Sequence, residues 1–515
     1  MPEELSDELK ADAAGFINAL PASVVMPAGA GKTHLLAAVA KHVVDGGGKV
    51  LVITHTNAGV HAVAARMKRF GVTTGVHVTT ITSLAFRLAR AYPVLGERIV
   101  PRVMVPDDSQ AYVQAATRAL AGAHIQAVLR ASYTHVLVDE YQDCNTEHHA
   151  MVLKIKDAVR NVGVLGDPLQ AIFGFAEDLP EWDEVLGEFP ELPDIKPEPR
   201  RWAGHNEELG AWLFKIRSHL IDGRVLQLDN PNYPPGVRFT DISGSYQGVA
   251  GAARSALSLP ADETVLVISA RHAASGRTIA GQLDGLYTVM EEVAGSFIGS
   301  WLTQLLDVEP DGYASWLFDF TKKCHAKYGI LDPDPLGKCY ARGETGGHLL
   351  ETSAKREPVR IAIEALDRVV VNPTLGELAA AMDVIPSSPG IRLHSHEAWY
   401  DAKTAIRGAA AQGGDKSLLH AELAKARDSL RHAGRRERRR IISRTLLVKG
   451  LEYDHVIIAD AGNHTEVNDL YVALTRARKS IHILASGGSL TLVESPRGPK
   501  ARKVSQGQRK KQKSD

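Results

Sequence analysis

The chain has 515 residues with 60 basic and 60 acidic side chains, so its overall charge points neither toward nor away from a polyanionic partner. At 44% apolar residues it is long enough for about two to four domains, each with its own core. Cys144, Cys324 and Cys339 form no C-x-x-C pair, which excludes a disulfide framework or zinc ribbon, and no apolar run approaches the roughly 20 residues of a membrane span; a cytoplasmic protein with no membrane partner is expected.

From Val24 to about Ile195, the β-branched runs "SVVM", "KVLVIT", "VHVTTI", "THVLVDE" and "NVGVLGD" alternate with Ala/Leu-rich helical stretches. That alternation predicts an α/β fold with a parallel sheet flanked by helices, its ligands along the C-terminal strand edge. Only about 40 residues separate Arg90 from Tyr133, room for two or three helices as a short insertion at about 91–130. The Pro-rich break "PELPDIKPEP" (190–199) is taken as a boundary, with a first domain over 1–198. Strand runs return in "RVLQL", "VRFTDI" and "TVLVISA", and again in "RTLLVKGLEYDHVIIAD" and "KSIHILAS", which places a second α/β domain at 199–290 plus 441–495. The stretch 291–440 between them has helical spacing and reads as an insertion; the tail 496–515 is basic, almost without apolar residues and expected to be disordered.

In "VVMPAGAGKTH" a strand runs into a small-residue turn and then Lys32-Thr33 at a helix start, an arrangement that aims backbone N–H groups at phosphate. Ala28, Gly29, Ala30 and Gly31 would wrap the phosphates, Lys32 would reach the β and γ positions, and Thr33 would ligate Mg²⁺. "VLVDEYQD" ends an apolar strand in Asp139 and Glu140, a carboxylate pair that is costly there unless a cation claims it. Asp139 would hold the metal and Glu140 would orient or deprotonate the attacking water. ATP and Mg²⁺ are the cofactors these residues imply.

"MPAGAGKT", "THTNAG" (54–59), "TTITSLAFRLAR" (79–90), "VDEYQD", "GDPLQAIFGF" (166–175), "KGLEYDHVI" (449–457) and "YVALTRAR" (471–478) resemble, in order, the motor motifs of UvrD/Rep-type superfamily 1 helicases. The resemblance implies two RecA-like domains with ATP between them and 3′ to 5′ movement along single-stranded or partly duplex DNA. It implies Gln170 as γ-phosphate sensor, Gly450 and Glu452 as nucleotide contacts from the second domain, and Arg476 as an arginine finger. Arg201, in "PRRWAGHNEELG", corresponds to the phosphate-contacting arginine that begins the second domain, and Arg200 falls where the family stacks an aromatic on adenine. Met26 replaces a small residue at the loop entry and no glutamine precedes Gln110, so phosphate recognition reads as intact and base recognition as relaxed. For DNA, the resemblance implies contacts from His55, Asn57, Thr82, Phe173 and Phe175; Phe173 equally fits a core position. The run "RHAGRRERRR" (431–440) fits either a solvated helix face or a phosphate-binding stripe. The compact layout and the "RRW…NEELGAWL" segment also resemble the helicase-like subunit of Gabija-type antiphage systems; the short insertion and the softer strand contacts at His55 and Thr82 leave open a DNA- or nucleotide-sensing ATPase subunit of a larger complex, without processive unwinding and with a nuclease or other protein subunit as partner.

Overall fold

A computed structural model describes residues 3–101, 104, 108–173, 178–193, 195–222, 225–230, 232–243, 247–269, 273–290, 296–327, 340–343, 346–349, 357–433 and 438–493. Two parallel sheets flanked by helices make the chain an α/β protein of two RecA-like domains. By contact it divides into two compact units: Met1–Gly236 with His464–Lys479 and Ser489–Asp515, and Val237–Asn463 with Ser480–Gly488.

The first unit is built on β1 (Ala22–Val25), β2 (Val50–Thr54), β3 (Val76–Thr80), β4 (His135–Val138) and β5 (Val162–Gly166), all parallel in the order β1-β5-β4-β2-β3. The five apolar runs of the sequence are these five strands. Parallel strands need crossovers, supplied by α2 (Lys32–Asp45), α3 (Asn57–Arg69), α4 (Ile81–Ala91), α5 (Ser109–Leu120), α6 (Ala123–Ser132) and α7 (Thr146–Ala158), while α1 (Asp7–Ala19) precedes the sheet. Thr56, Thr80 and Asn145 each accept a first-turn backbone N–H, so α3, α4 and α7 begin where the sequence offers a cap. The strand period of two divides the core: Val50, Val52 and Leu137 pack with α1 to α3, while Leu51, Ile53, Val136 and Val138 pack with α4 to α7. The expected insertion is α5 and α6, whose Tyr112, Val113, Ile125 and Leu129 join that second layer.

The Pro-rich segment lies inside this unit. Ser23 N–H donates to Pro190 O at 2.9 Å and Leu192 N–H to Ser23 O at 2.9 Å, so the segment pairs with β1, an edge strand whose backbone would otherwise lack partners on that side. After α8 (Trp182–Glu188), the chain forms a single 3₁₀ turn at Arg200–Trp202 and then α9 (Glu207–Ile221), capped by Asn206. Trp202 is fully buried and donates its indole N–H to Ala477 O at 2.7 Å.

The second unit holds a six-stranded sheet in the order Val237–Asp241, Ala477–Ala485, Tyr453–Ile458, Val265–Ile268, Arg440–Ser443, Thr288–Val289. "RVLQL" contributes only Leu226–Gln227, paired antiparallel to Ser489–Leu490 within the first unit. The run "RTLLVKGLEYDHVIIAD" is not continuous strand. It begins one residue after the strand Arg440–Ser443; within it Thr445–Val448 is a helical turn and Tyr453–Ile458 is the next strand, because both strands lie parallel to Val265–Ile268 and the chain must reverse between them. The helical block has a separate core in which Phe320 stacks on Trp316 (5.1 Å) and on Trp399 (5.6 Å). Of the run 431–440, residues 434–437 lie outside the described residues, as does the basic tail; Arg439 and Arg440 donate to the backbone oxygens of Ala261 and Glu263.

Candidate active site

The parallel sheet brings the ends of all five strands to one edge, and the motif residues of the first unit follow from that edge. Gly29 and Gly31 have φ of +74° and +94°, the left-handed conformation that lets the loop after β1 wrap tightly before α2 begins at Lys32. Met26 needs no small side chain. It is 4% exposed and packs in the core with Val24, Leu35 and Leu36, while its backbone faces the loop: Met26 N–H donates to Gly166 O at 3.0 Å and Met26 O accepts from Lys32 Nζ at 3.1 Å. The small residue that the loop entry otherwise carries is thus replaced by a side chain pointing into the sheet packing.

Asp139 ends β4, is 4% exposed, and accepts the backbone N–H of Glu140 at 3.0 Å. Burial and the neighbouring Glu140 push its carboxyl up to about 7, with Lys32 pulling the other way. A buried carboxylate held that far above its ordinary range is one that a cation would ionise and stabilise, so the donor chemistry fits Mg²⁺. No group of three or more His, Cys, Asp or Glu side chains suited to a metal occurs among the described residues. Glu140 itself has φ +53°, a strained backbone for a residue with a Cβ. Its carboxylate accepts from Gln142 Nε2, and Gln142 Oε1 in turn accepts the Asp167 N–H at 2.9 Å, so the carboxylate is held by a neighbour two residues on.

Asp167, fully buried at the end of β5, caps the 3₁₀ turn Pro168–Gln170 and accepts from Leu169 N (3.2 Å), Gln170 Nε2 (3.0 Å) and Arg217 Nη2 (2.8 Å). The helix Val467–Leu474 belongs to the same unit. Asn468 Nδ2 donates to Pro168 O and Ala171 O, and the Tyr471 hydroxyl accepts Ala28 N–H at 3.1 Å. Arg476 also falls in this unit, 1% exposed, with Nε donating to Val472 O at 2.8 Å and Nη2 to Thr475 Oγ1 at 2.9 Å. Arg201 lies over the Trp202 ring, donates its backbone N–H to Gly29 O at 3.1 Å and its guanidinium to Thr475 O. Arg200 covers Gly31, where a Cβ would meet its Cδ at 2.7 Å, and pairs with Glu198 at 3.2 Å. Gly450, with φ +79°, and the exposed Glu452 belong to the second unit.

Of the DNA-facing candidates, His55 follows β2 and contacts Cys144 Sγ at 3.4 Å and the His148 ring at 5.6 Å. Asn57 is exposed at the start of α3, Thr82 is half-buried in the first turn of α4, and Phe173 is half-buried after the Pro168–Gln170 turn. Phe175 lies outside the described residues. Sequence reasoning missed Gln142, Arg217, Asn468 and Tyr471; Gln142 and Tyr471 stand within quoted motifs, whereas nothing local marks Arg217 or Asn468.

A phosphate loop after one strand, an acidic pair ending another and a glutamine turn ending the strand between them define a nucleoside triphosphatase of the P-loop class. Residues 107–180 match the UvrD/REP helicase N-terminal domain and residues 447–484 the UvrD-like helicase C-terminal domain. These matches support a UvrD/Rep-type superfamily 1 helicase, and UvrD-like helicase domains indicate an ATP-dependent DNA helicase and so an NTP hydrolase. The matched stretches contain Asp139, Glu140, Gln170, Gly450, Glu452 and Arg476; the phosphate loop lies outside both. No curated protein matches the chain. Among the described residues, no helix is long and apolar enough to cross a membrane.

Proposed function

We propose that this chain hydrolyses ATP with Mg²⁺ to move 3′ to 5′ along single-stranded DNA. The observation that carries the reading is one connected set of groups: Lys32 near Asp139, Asp139 accepting the Glu140 N–H, Glu140 held by Gln142, Gln142 joined to Asp167, and Asp167 joined to Gln170. Thr33 and Asp139 would hold Mg²⁺, which neutralises charge on the β and γ phosphate oxygens when bound. Lys32, now donating to Met26 O, exchanges that carbonyl for phosphate oxygen. Glu140 accepts the proton of the attacking water, and its left-handed backbone with the Gln142 hydrogen bond keeps the carboxylate aimed rather than rotating. Gln170 reads the γ-phosphate and passes its state along the edge that also bears His55, Thr82 and Phe173. Arg201, which donates to the Thr475 carbonyl oxygen, and Arg476, which donates to the Thr475 hydroxyl, supply the positive charge that stabilises the transferring phosphoryl group.

A second reading, a DNA-sensing ATPase subunit within a larger antiphage assembly, draws support from the first insertion being only α5 and α6 and from a histidine, His55, standing where the family carries an aromatic. ATP hydrolysis with and without single-stranded DNA, run beside strand displacement on a 3′-tailed duplex, tests both. Stimulation with displacement is expected; stimulation without displacement favours the subunit, and hydrolysis equal to that of Lys32→Ala under all conditions refutes both.

A further inference from the structure

Arg200 stands at the phosphate loop in a way that a stacking role on the base does not account for. A Cβ on Gly31 would meet its Cδ at 2.7 Å, its Nε at 3.4 Å and its Cγ at 3.7 Å, so the outer half of the side chain lies across that glycine. Gly31 is the N-cap of α2, and the first-turn N–H groups of Lys32 and Thr33, which a helix start cannot bond internally, follow it directly. The place that Arg200 covers is therefore the one where phosphate oxygens gather; a base is carried a ribose further on. The turn that bears Arg200 is itself fixed. Arg201 N–H donates to Gly29 O at 3.1 Å, Trp202 Nε1 donates to Ala477 O at 2.7 Å, and a Cβ on Gly29 would meet the Trp202 ring at 2.7 Å. The backbone of Arg200 is thus set relative to the loop, while its side chain, about one third exposed, is free to re-aim.

What the guanidinium now holds is a carboxylate. Arg200 Nη2 pairs with Glu198 Oε2 at 3.2 Å, and both side chains face solvent. An exposed pair of this kind adds little to stability, so folding alone gives no reason for it. Carboxylate and phosphate present similar oxygens to a guanidinium fork. Resting on the phosphate-loop reading above, we propose that Arg200 binds the nucleotide through its phosphates rather than its base, and that Glu198 competes with phosphate for the same guanidinium. An incoming triphosphate takes over Arg200 and leaves Glu198 to water, so the pair acts as a brake on nucleotide affinity. The grip is then directed at the part that all nucleoside triphosphates share, which suits a chain with no glutamine before Gln110.

The test measures binding of MgATP, and of inorganic tripolyphosphate with Mg²⁺, to wild type, Arg200→Ala, Arg200→Lys and Glu198→Gln by titration calorimetry. Lys32→Ala serves as the reference for a damaged phosphate loop, and thermal melting checks folding. Arg200→Ala is expected to weaken both ligands by the same factor, about tenfold, the scale of one charge-assisted hydrogen bond. Arg200→Lys should recover part of that loss for both, because an ammonium still meets phosphate but has no plane to stack on a base. Glu198→Gln should tighten both by about two- to fivefold, the scale of an exposed ion pair. Weakening of ATP without weakening of tripolyphosphate would assign Arg200 to the base and overturn the proposal, as would wild-type affinity for both ligands in Arg200→Ala. Unchanged or weaker binding by Glu198→Gln overturns the competition. Should Arg200→Ala not fold, Glu198→Gln decides, because it leaves Arg200 in place and only frees it. Wild type binding neither ligand better than Lys32→Ala does would overturn the phosphate-loop reading and this proposal together, an outcome distinct from a loss at Arg200 alone.

Discussion

Replacing Gly29 by alanine should cost more stability than the same change at Gly31, although both glycines lie in one phosphate loop. Each has a left-handed backbone, at φ +74° and +94°. An alanine in that conformation costs about 1–2 kcal/mol, of which about 0.4–1 kcal/mol is offset by the smaller freedom of the unfolded chain. The surroundings then separate them. A Cβ on Gly29 would stand 2.7 Å from Cη2 and Cζ3 of Trp202 and 3.0 Å from Cβ of Arg201. Trp202 is fully buried, its indole N–H is committed to Ala477 O, and its ring meets Phe214 edge-on, so it cannot withdraw. Forcing that contact adds about 1–3 kcal/mol, the usual cost of overpacking. At Gly31 the obstacle is Cδ of Arg200, on a side chain 35% exposed that can swing aside. Urea unfolding should therefore place Gly29→Ala about 1–3 kcal/mol below Gly31→Ala, and Trp202→Leu should shrink that gap when combined with Gly29→Ala. Equal midpoints for the two alanine variants would show that the Trp202 ring does not press on the loop.

The helical block should lose stability in mild acid. Burial holds His325 and His394 down to about 3, below the ordinary 6.5, so their contribution is complete above 6.5 and is lost as pH falls toward 3. At about pH 5 each imidazole accounts for about 2 kcal/mol, and the melting temperature of His325→Gln should fall less between about pH 7.5 and 5 than that of wild type; a wild-type melting temperature constant over that interval contradicts the argument. Base choice is expected to be loose, with GTP hydrolysed within about tenfold of ATP, since the chain lacks the upstream glutamine and the aromatic stack. If Arg200 over Gly31 stacks on the base instead, Arg200→Ala should erase whatever ATP preference exists; a preference above about a hundredfold surviving that change assigns base reading to another residue.

The two stretches of the chain that local patterning determines are the strands and their caps. Five apolar runs became the five strands of the first sheet because alternation, β-branching and a Thr or Asn cap act within a few residues. The same locality made the phosphate loop, the acidic pair and the glutamine turn legible, since parallel strands necessarily deliver their C-terminal ends to one edge. It misled at "RTLLVKG", where β-branched and apolar residues form a helical turn because the strands on either side must run the same way. Tertiary structure alone decided that Met26 turns into the core, that Arg476 falls in the first compact unit, and that the Pro-rich segment pairs with β1. It also decided that Ala28 meets Tyr471 and that Arg217 meets Asp167. Ala28 and Tyr471 are 443 residues apart in sequence and Arg217 and Asp167 are 50 apart, and no periodicity records which buried donor will meet which buried acceptor at such separations. The need for every buried polar group to find a partner is general, but only the packed sheet edge determines which partner is within reach.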